Sequence, residues 1–301
     1  MSARETIVNR ARRSGVQSLV RDSRKKQRLD RVDGRPNEFG ESVGRVSPED
    51  SGGVLDRWLT AERVEIGRHI LWVLAETEGA RDAVIAELCD VVRSHYVSPE
   101  TMARRLEELG ASQTASVMRE HLPESKTARS ADMGEILATE CAEWRLGYEV
   151  PIRRLRWKDG REVPLRGDDL VGLSRDEKQR LQFLKGEAKS RAALTTAVIQ
   201  EATEALGDNE GRPTRHSVLF VAERLRDNGS HDLAAELEEA VLRSFRGLTV
   251  EHFVFALAGN DPEKFLSDHL HACAETKQLQ HAMGVRVEDH GRFIALVYER
   301  L

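Results

Sequence analysis

Four side chains in the middle of the chain have the types and spacing of a metal-assisted hydrolase: Glu135, Asp169, Glu187 and Lys189. Alternate residues of an extended segment share a face, so Phe183, Lys185, Glu187 and Lys189 fall together, with the small Ala188 turned the other way. Asp169 stands in the run Gly167-Asp168-Asp169-Leu170-Val171-Gly172. Alternation groups it with Val163 and Leu165 and turns Asp168 to the opposite side. An acid in so apolar a run needs a reason, because an unpaired charge is costly to bury. Glu135 offers a third carboxylate from a helix whose neighbouring positions Ala138, Thr139 and Ala142 are small enough to let it lie close to a sheet. Glu140 and Glu143 are expected to be solvated.

Hard carboxylate oxygens suit Mg²⁺ or Mn²⁺, which keep part of their shell for water and phosphate. Such an ion polarises a phosphoryl oxygen and lowers the pKa of an attacking water. A lysine beside it can orient that water or stabilise developing negative charge. The expected metal ligands are Glu135, Asp169 and Glu187, with Lys189 completing the catalytic set. Singly, each has a plainer reading: Glu-x-Lys is commonly an exposed strand pair and Gly-Asp-Asp a turn. Their combination in one order carries the inference.

The elements that must position these residues are read from periodicity. A helix over 131–144 presents the stripe Met133, Ile136, Leu137, Cys141 and Trp144 and ends at Gly147. A strand from Tyr148 to Trp157, an Asp-Gly turn at 158–161, a second strand from Glu162 to Gly172, a third from Leu181 to Lys189 and a helix from Arg191 to Leu206 follow. Farther on, helices are predicted over 213–227 and 231–244, a strand over 252–259, a helix over 262–283, and a closing hairpin of 285–288 with 292–299. Residues 54–122 read as all-helical, with Ser98 capping a helix that opens at Pro99. Residues 1–53 read as a basic arm and a Gly- and Pro-rich linker. Three parts result: arm and linker 1–53, a helical region 54–122 suited to docking a partner, and a catalytic domain 123–301.

With 40% hydrophobic and 32% charged residues over 301 positions, the chain suits a globular protein with a sizeable core. No run approaches the ~18 apolar residues of a membrane span, and a cytoplasmic location is expected. The net charge of -5 conceals two basic stretches. Residues 1–31 hold ten Arg or Lys against three acids, and residues 151–191 hold twelve against seven. Such local asymmetry can draw a polyanion to one surface. Cys89, Cys141 and Cys273 are read as small buried hydrophobes, and the ten histidines as surface or capping residues.

The motifs Gly134-Glu135, Gly167-Asp168-Asp169-Leu170-Val171-Gly172 and Gly186-Glu187-Ala188-Lys189, in the order helix–strand–strand–strand–helix, resemble the PD-(D/E)xK nuclease superfamily, best over residues 131–206. Within it they are similar to HamA, the nuclease subunit of Hachiman antiphage defence, and to relatives in Abp systems. The Pro common before the motif acid is replaced here by Asp168. The resemblance implies an α/β mixed sheet flanked by helices, Mg²⁺- or Mn²⁺-dependent DNA hydrolysis with little sequence preference, and a HamB-like helicase subunit that restrains the nuclease. It also makes Gln200 a candidate near the site. Arg153, Arg154, Arg156 and Arg166 are candidate DNA contacts, because guanidinium forks suit phosphate. The alternative is a non-cleaving nuclease-fold subunit that regulates a helicase or binds DNA.

Overall fold

A computed structural model describes residues 53–301. The basic arm and nearly all of the linker therefore lie outside the described residues. The elements run α1 (Val54–Trp58), β1 (Leu59–Ile66), β2 (His69–Glu76), α2 (Ala80–Tyr96), α3 (Pro99–His121), α4 (Lys126–Cys141), β3 (Leu170–Arg175), β4 (Leu181–Arg191), α5 (Thr196–Gly207), α6 (Arg215–Asp227), α7 (His231–Leu242), β5 (Thr249–Ala258), α8 (Glu263–Ala272), β6 (Gln280–Arg286) and α9 (His290–Glu299).

The strands form one mixed six-stranded sheet in the order β1-β2-β6-β5-β4-β3. β2, β6, β5 and β4 are mutually parallel, and β1 and β3 close the two edges antiparallel. β5 is the middle of the core: every residue from Phe253 to Ala258 is fully buried. A parallel strand covered on both faces must be apolar throughout rather than alternating. Phe253, Phe255 and Leu257 join the cluster built with α2, α4 and α9. Val254, Ala256 and Ala258 join the one built with α5 and α8. The helix pair α6–α7 packs over the β3–β4 end through Val218, Val221, Leu237 and Phe183. Each such buried side chain contributes on the order of 1.5–3 kcal/mol.

The expected mixed sheet flanked by helices is therefore present, but several elements differ from the sequence reading. The helical reading fails over residues 59–76, which form the β1–β2 hairpin. Gly67, at φ +61°, makes its tight turn, a conformation open to glycine at little cost. β2 is buried on both faces, Leu71 in one cluster and Leu74 in another. It therefore loses the alternation that marks a strand. Nor is 54–122 a separate body, because β2 pairs with β6.

The two runs expected as strands over 148–157 and 162–172 are mostly irregular. Pro151 and Pro164 interrupt them and cannot donate to a ladder. What remains is one bridge, Glu149 with Leu173, a 3₁₀ turn at Arg154–Trp157, and a strand that begins only at Leu170. The long helix expected over 262–283 stops at Ala272, and residues 280–286 are β6. The closing hairpin is instead β6 followed by α9, whose cap is Asp289. The cysteines are buried, as expected. The histidines are not at the surface throughout: His69, His95, His252, His269, His281 and His290 are all buried. His69 illustrates the use, with its ring bonded to the Cys273 carbonyl at 2.9 Å and accepting from the Gln280 amide at 3.1 Å.

Candidate active site

β3 pairs with β4 in the register Leu170 to Gly186, so Asp169, one residue before β3, arrives beside Glu187. Its Oδ2 accepts from the Ala188 amide at 3.0 Å. On β4 the Lys189 ammonium donates to Glu187 Oε1 at 2.8 Å. α4 crosses the same end of the sheet. A side chain at Gly134 would meet Ser190 Cβ at 3.2 Å, and the hydroxyls of Ser130 and Ser190 are 2.9 Å apart. Glycine at 134 thus permits the approach that delivers Glu135 to the two strand acids.

The electrostatics record how close these acids are. Glu135 is surrounded by protein and keeps only a partial opening to solvent. Burial, reinforced by the charge of Asp169, raises its carboxyl to about 8. Glu187 is pushed up to about 7 by burial and then by Asp169, against the pull of Lys189. Asp169 is raised by burial, opposed chiefly by the Ala188 amide. Desolvation and mutual repulsion both favour the protonated forms, and a cation placed among them would relieve both. A cleft of about 10 Å³ between Glu135, Asp169, Thr139 and Arg154 holds roughly one water-sized body. The donor set is therefore of the right chemistry for Mg²⁺ or Mn²⁺. Among the described residues no three acids or imidazoles close into a ready-made ligand shell, so water and phosphate would supply the remaining positions, as is usual for Mg²⁺.

Asp168 has a different job. Its Oδ2 accepts from the Thr214 amide at 2.7 Å and its own amide donates to Ser217 Oγ at 2.8 Å. Lys185 lies 3.6 Å away and donates to the carbonyls of Ala205, Leu206 and Asp208. Asp168 thus fastens the loop to α6, and the end of α5 is capped by a buried lysine.

The candidate DNA contacts are mostly turned inward. Arg153 donates to both oxygens of Glu143 and pairs with Glu140. Those two acids, expected in solvent, are half-buried and paired: Glu140 also bonds His95 at 2.8 Å. Arg156 donates to the Ser94 carbonyl. Arg154 donates to the carbonyls of Asp168 and Arg166, holding the loop that aims Asp169. Arg166 is exposed, and Gln200 lies at the surface donating to Glu204 at 3.0 Å.

The sequence reading missed a second polar layer. Lys158 donates to both oxygens of Asp132, at 2.9 and 3.0 Å. The Tyr96 hydroxyl reaches Asp132 at 2.7 Å and lies 2.7 Å from that of Tyr298. Asp132 precedes Glu135 by three positions, which puts both on one helix face. That spacing was the available signal.

The HamA family model matches residues 53–301. The chain belongs to the HamA family. Membership points to a component of Hachiman antiphage defence, in agreement with the resemblance carried by the three motifs. The match begins where the basic arm and linker end and takes in the β1–β2 hairpin as well as the acid cluster. A search of curated proteins returns no match. Among the described residues no helix is long and apolar enough to cross a membrane.

Proposed function

We propose that this HamA-family chain is a metal-dependent DNA nuclease, the effector of its defence complex, restrained by a helicase subunit until that subunit engages DNA. The observation that carries the reading is the convergence of Glu135, Asp169 and Glu187 from three separate elements. Burial raises all three carboxyls, the charge of Asp169 adds to the rise of Glu135 and Glu187, and the Lys189 ammonium is held on Glu187. Clusters of strongly perturbed groups in a cleft mark functional sites.

Glu135, Asp169 and Glu187 would hold Mg²⁺ or Mn²⁺, which when bound supplies Lewis-acid polarisation of the phosphate and a more acidic water. The chain's own groups do the rest. The Ala188 amide fixes the rotamer of Asp169, and Arg154 fixes the loop before it. Lys189, positioned by Glu187, sits where it can orient a water or offset charge on the phosphoryl oxygens. A non-specific nuclease would attack the host's own DNA, which is why a restraining partner belongs to this reading. α3, with Leu106 and Leu109 exposed, is the part of 54–122 still suited to docking it.

The second reading is a non-cleaving subunit that binds DNA or regulates the helicase. Purified full-length protein with plasmid and Mg²⁺ or Mn²⁺, alone and with its helicase and ATP, separates the two. Nicked or linear products that vanish in Glu187→Ala support the nuclease. Intact plasmid under every condition supports the second reading.

A further inference from the structure

A second cleft lies away from the acid cluster, at the other end of β4 and β5. It encloses about 540 Å³, within the ~300–1,000 Å³ typical of small-ligand sites. Thr249 and Val250 at the start of β5 form part of its wall, and they pair with Gln182 and Phe183. Glu187 is five residues farther along β4, roughly 17 Å at ~3.3 Å per residue.

The lining is strongly cationic. Arg212, Arg243, Arg246 and Lys277 face Glu210 as the single acid. Arg212 pairs with Glu210, and Arg243 with Glu239, both through exposed side chains, where such pairs are weak and easily exchanged for a better anion. Beside the cations, Leu248 and Val250 give an apolar wall. Charge and apolar surface together in one concavity match a ligand with a phosphate part and a flat, less polar part.

The loops around this cleft carry unusual backbone. Of the six non-glycine residues at positive φ among those described, Asn209, Glu210, Ser244 and Phe245 border it. Residues held there persist only when their surroundings impose the conformation, and they concentrate at ligand clamps. The loop is also tied to the acid cluster: Gly211 and Arg212 lie just before Thr214, whose amide holds Asp168, the neighbour of Asp169.

We propose that this basic cleft is a second binding site that recognises nucleotide phosphates, with the cations on the phosphates and the apolar wall against sugar or base. The ligand's source is either a free nucleoside polyphosphate or the phosphorylated end of a nucleic-acid strand. An effect of the ligand on cleavage, passed through Thr214 and Asp168, rests on the nuclease reading; the binding itself does not.

The test is direct titration of the full-length protein in EDTA, with fluorescent ATP and separately with a short 5′-phosphorylated single-stranded oligonucleotide. Arg246→Glu/Lys277→Glu, two exposed positions outside the acid cluster, is the comparison, and its melting temperature checks folding. Binding of either probe that falls at least tenfold in the double variant, and weakens with salt, supports the site. The probe that binds identifies the source. No binding of either probe, or binding unchanged by the double charge reversal in a folded protein, overturns it. If both probes bind as proposed yet plasmid is never cleaved, the site stands and the nuclease reading falls.

Discussion

Glu135→Gln removes a strongly perturbed carboxylate while keeping its shape. In the folded chain the Glu135 carboxyl ionises near pH 8, against an ordinary value of 4.5. Between those limits the folded state binds a proton that the unfolded state has released. Metal-free wild type is therefore most stable below about pH 4.5 with respect to this group and loses stability as pH rises, until the loss levels off above about pH 8. At ~1.4 kcal/mol per pH unit of separation the full loss is on the order of 4–5 kcal/mol, with about 3 kcal/mol reached by pH 7. For a domain of this size a kilocalorie corresponds to ~2–4 °C, so in EDTA at pH 8.5 the glutamine variant should melt on the order of 10 °C above wild type. Calorimetry or dye-monitored melting from pH 6 to 9 reads this directly. Adding Mg²⁺ should raise the wild-type melting temperature most at high pH and move the variant far less. Equal melting temperatures across that range, or a variant less stable than wild type at pH 8.5, would refute the claim that the acid cluster is an uncompensated charge awaiting a cation.

Glu187→Ala should reduce plasmid cleavage to background and Lys189→Ala should lower it ~100–1,000-fold, both with normal expression; wild-type rates in either remove that residue from the chemistry. Asp169→Asn should abolish cleavage without lowering the melting temperature, because burial raises that carboxyl too. Asp168→Ala should instead cost stability, ~1–3 kcal/mol for the orphaned Thr214 amide, and the opposite pattern in activity and melting would reassign the two acids. Lys158→Met leaves Asp132 buried without its ion partner and should destabilise by ~3–5 kcal/mol, much of it recovered in Lys158→Met/Asp132→Asn; no recovery means the pair is not the cause. Deleting residues 1–31 should leave the helicase complex intact in size-exclusion chromatography, and its dissociation would assign the contact to the basic arm.

The candidate site was easier to read than the fold, and the reason is local. Glu187 and Lys189 share a face in the second half of β4, whose earlier residues Phe183 and Leu184 are wholly buried, so charge at alternate positions after an apolar run was visible in the sequence. The elements misread were those whose form is set by distant neighbours. β6 reads Gln280-His281-Ala282-Met283-Gly284-Val285-Arg286, with one β-branched residue, and is a strand because β2 and β5 flank it. α9 has the opposite history. His290-Gly291 is a turn signal, and Phe293, Ile294, Val297 and Tyr298 favour strands. Yet these four are buried at helical spacing against the sheet, and packing overrides propensity. The inward turn of Arg153, Arg154 and Arg156 was invisible for the same reason: their partners Glu143, Asp168 and Ser94 come from other elements.

The pairing of β2 with β6 has a consequence for synthesis. His69 at the start of β2 bonds Cys273 and Gln280, groups that leave the ribosome about two hundred residues later. The N-terminal hairpin must therefore wait, with apolar surface on both faces, while the acid-bearing strands are made and begin to pair. Such long loop closures slow folding and prolong exposure of sticky edges. The finished sheet protects its β1 edge with Glu62, Arg63 and Glu65, charges that discourage strand addition by another chain. The nascent chain has no partner for the inner edge of the hairpin until residues 280–286 are made, so the sheet is completed only after both acid-bearing strands have been synthesised.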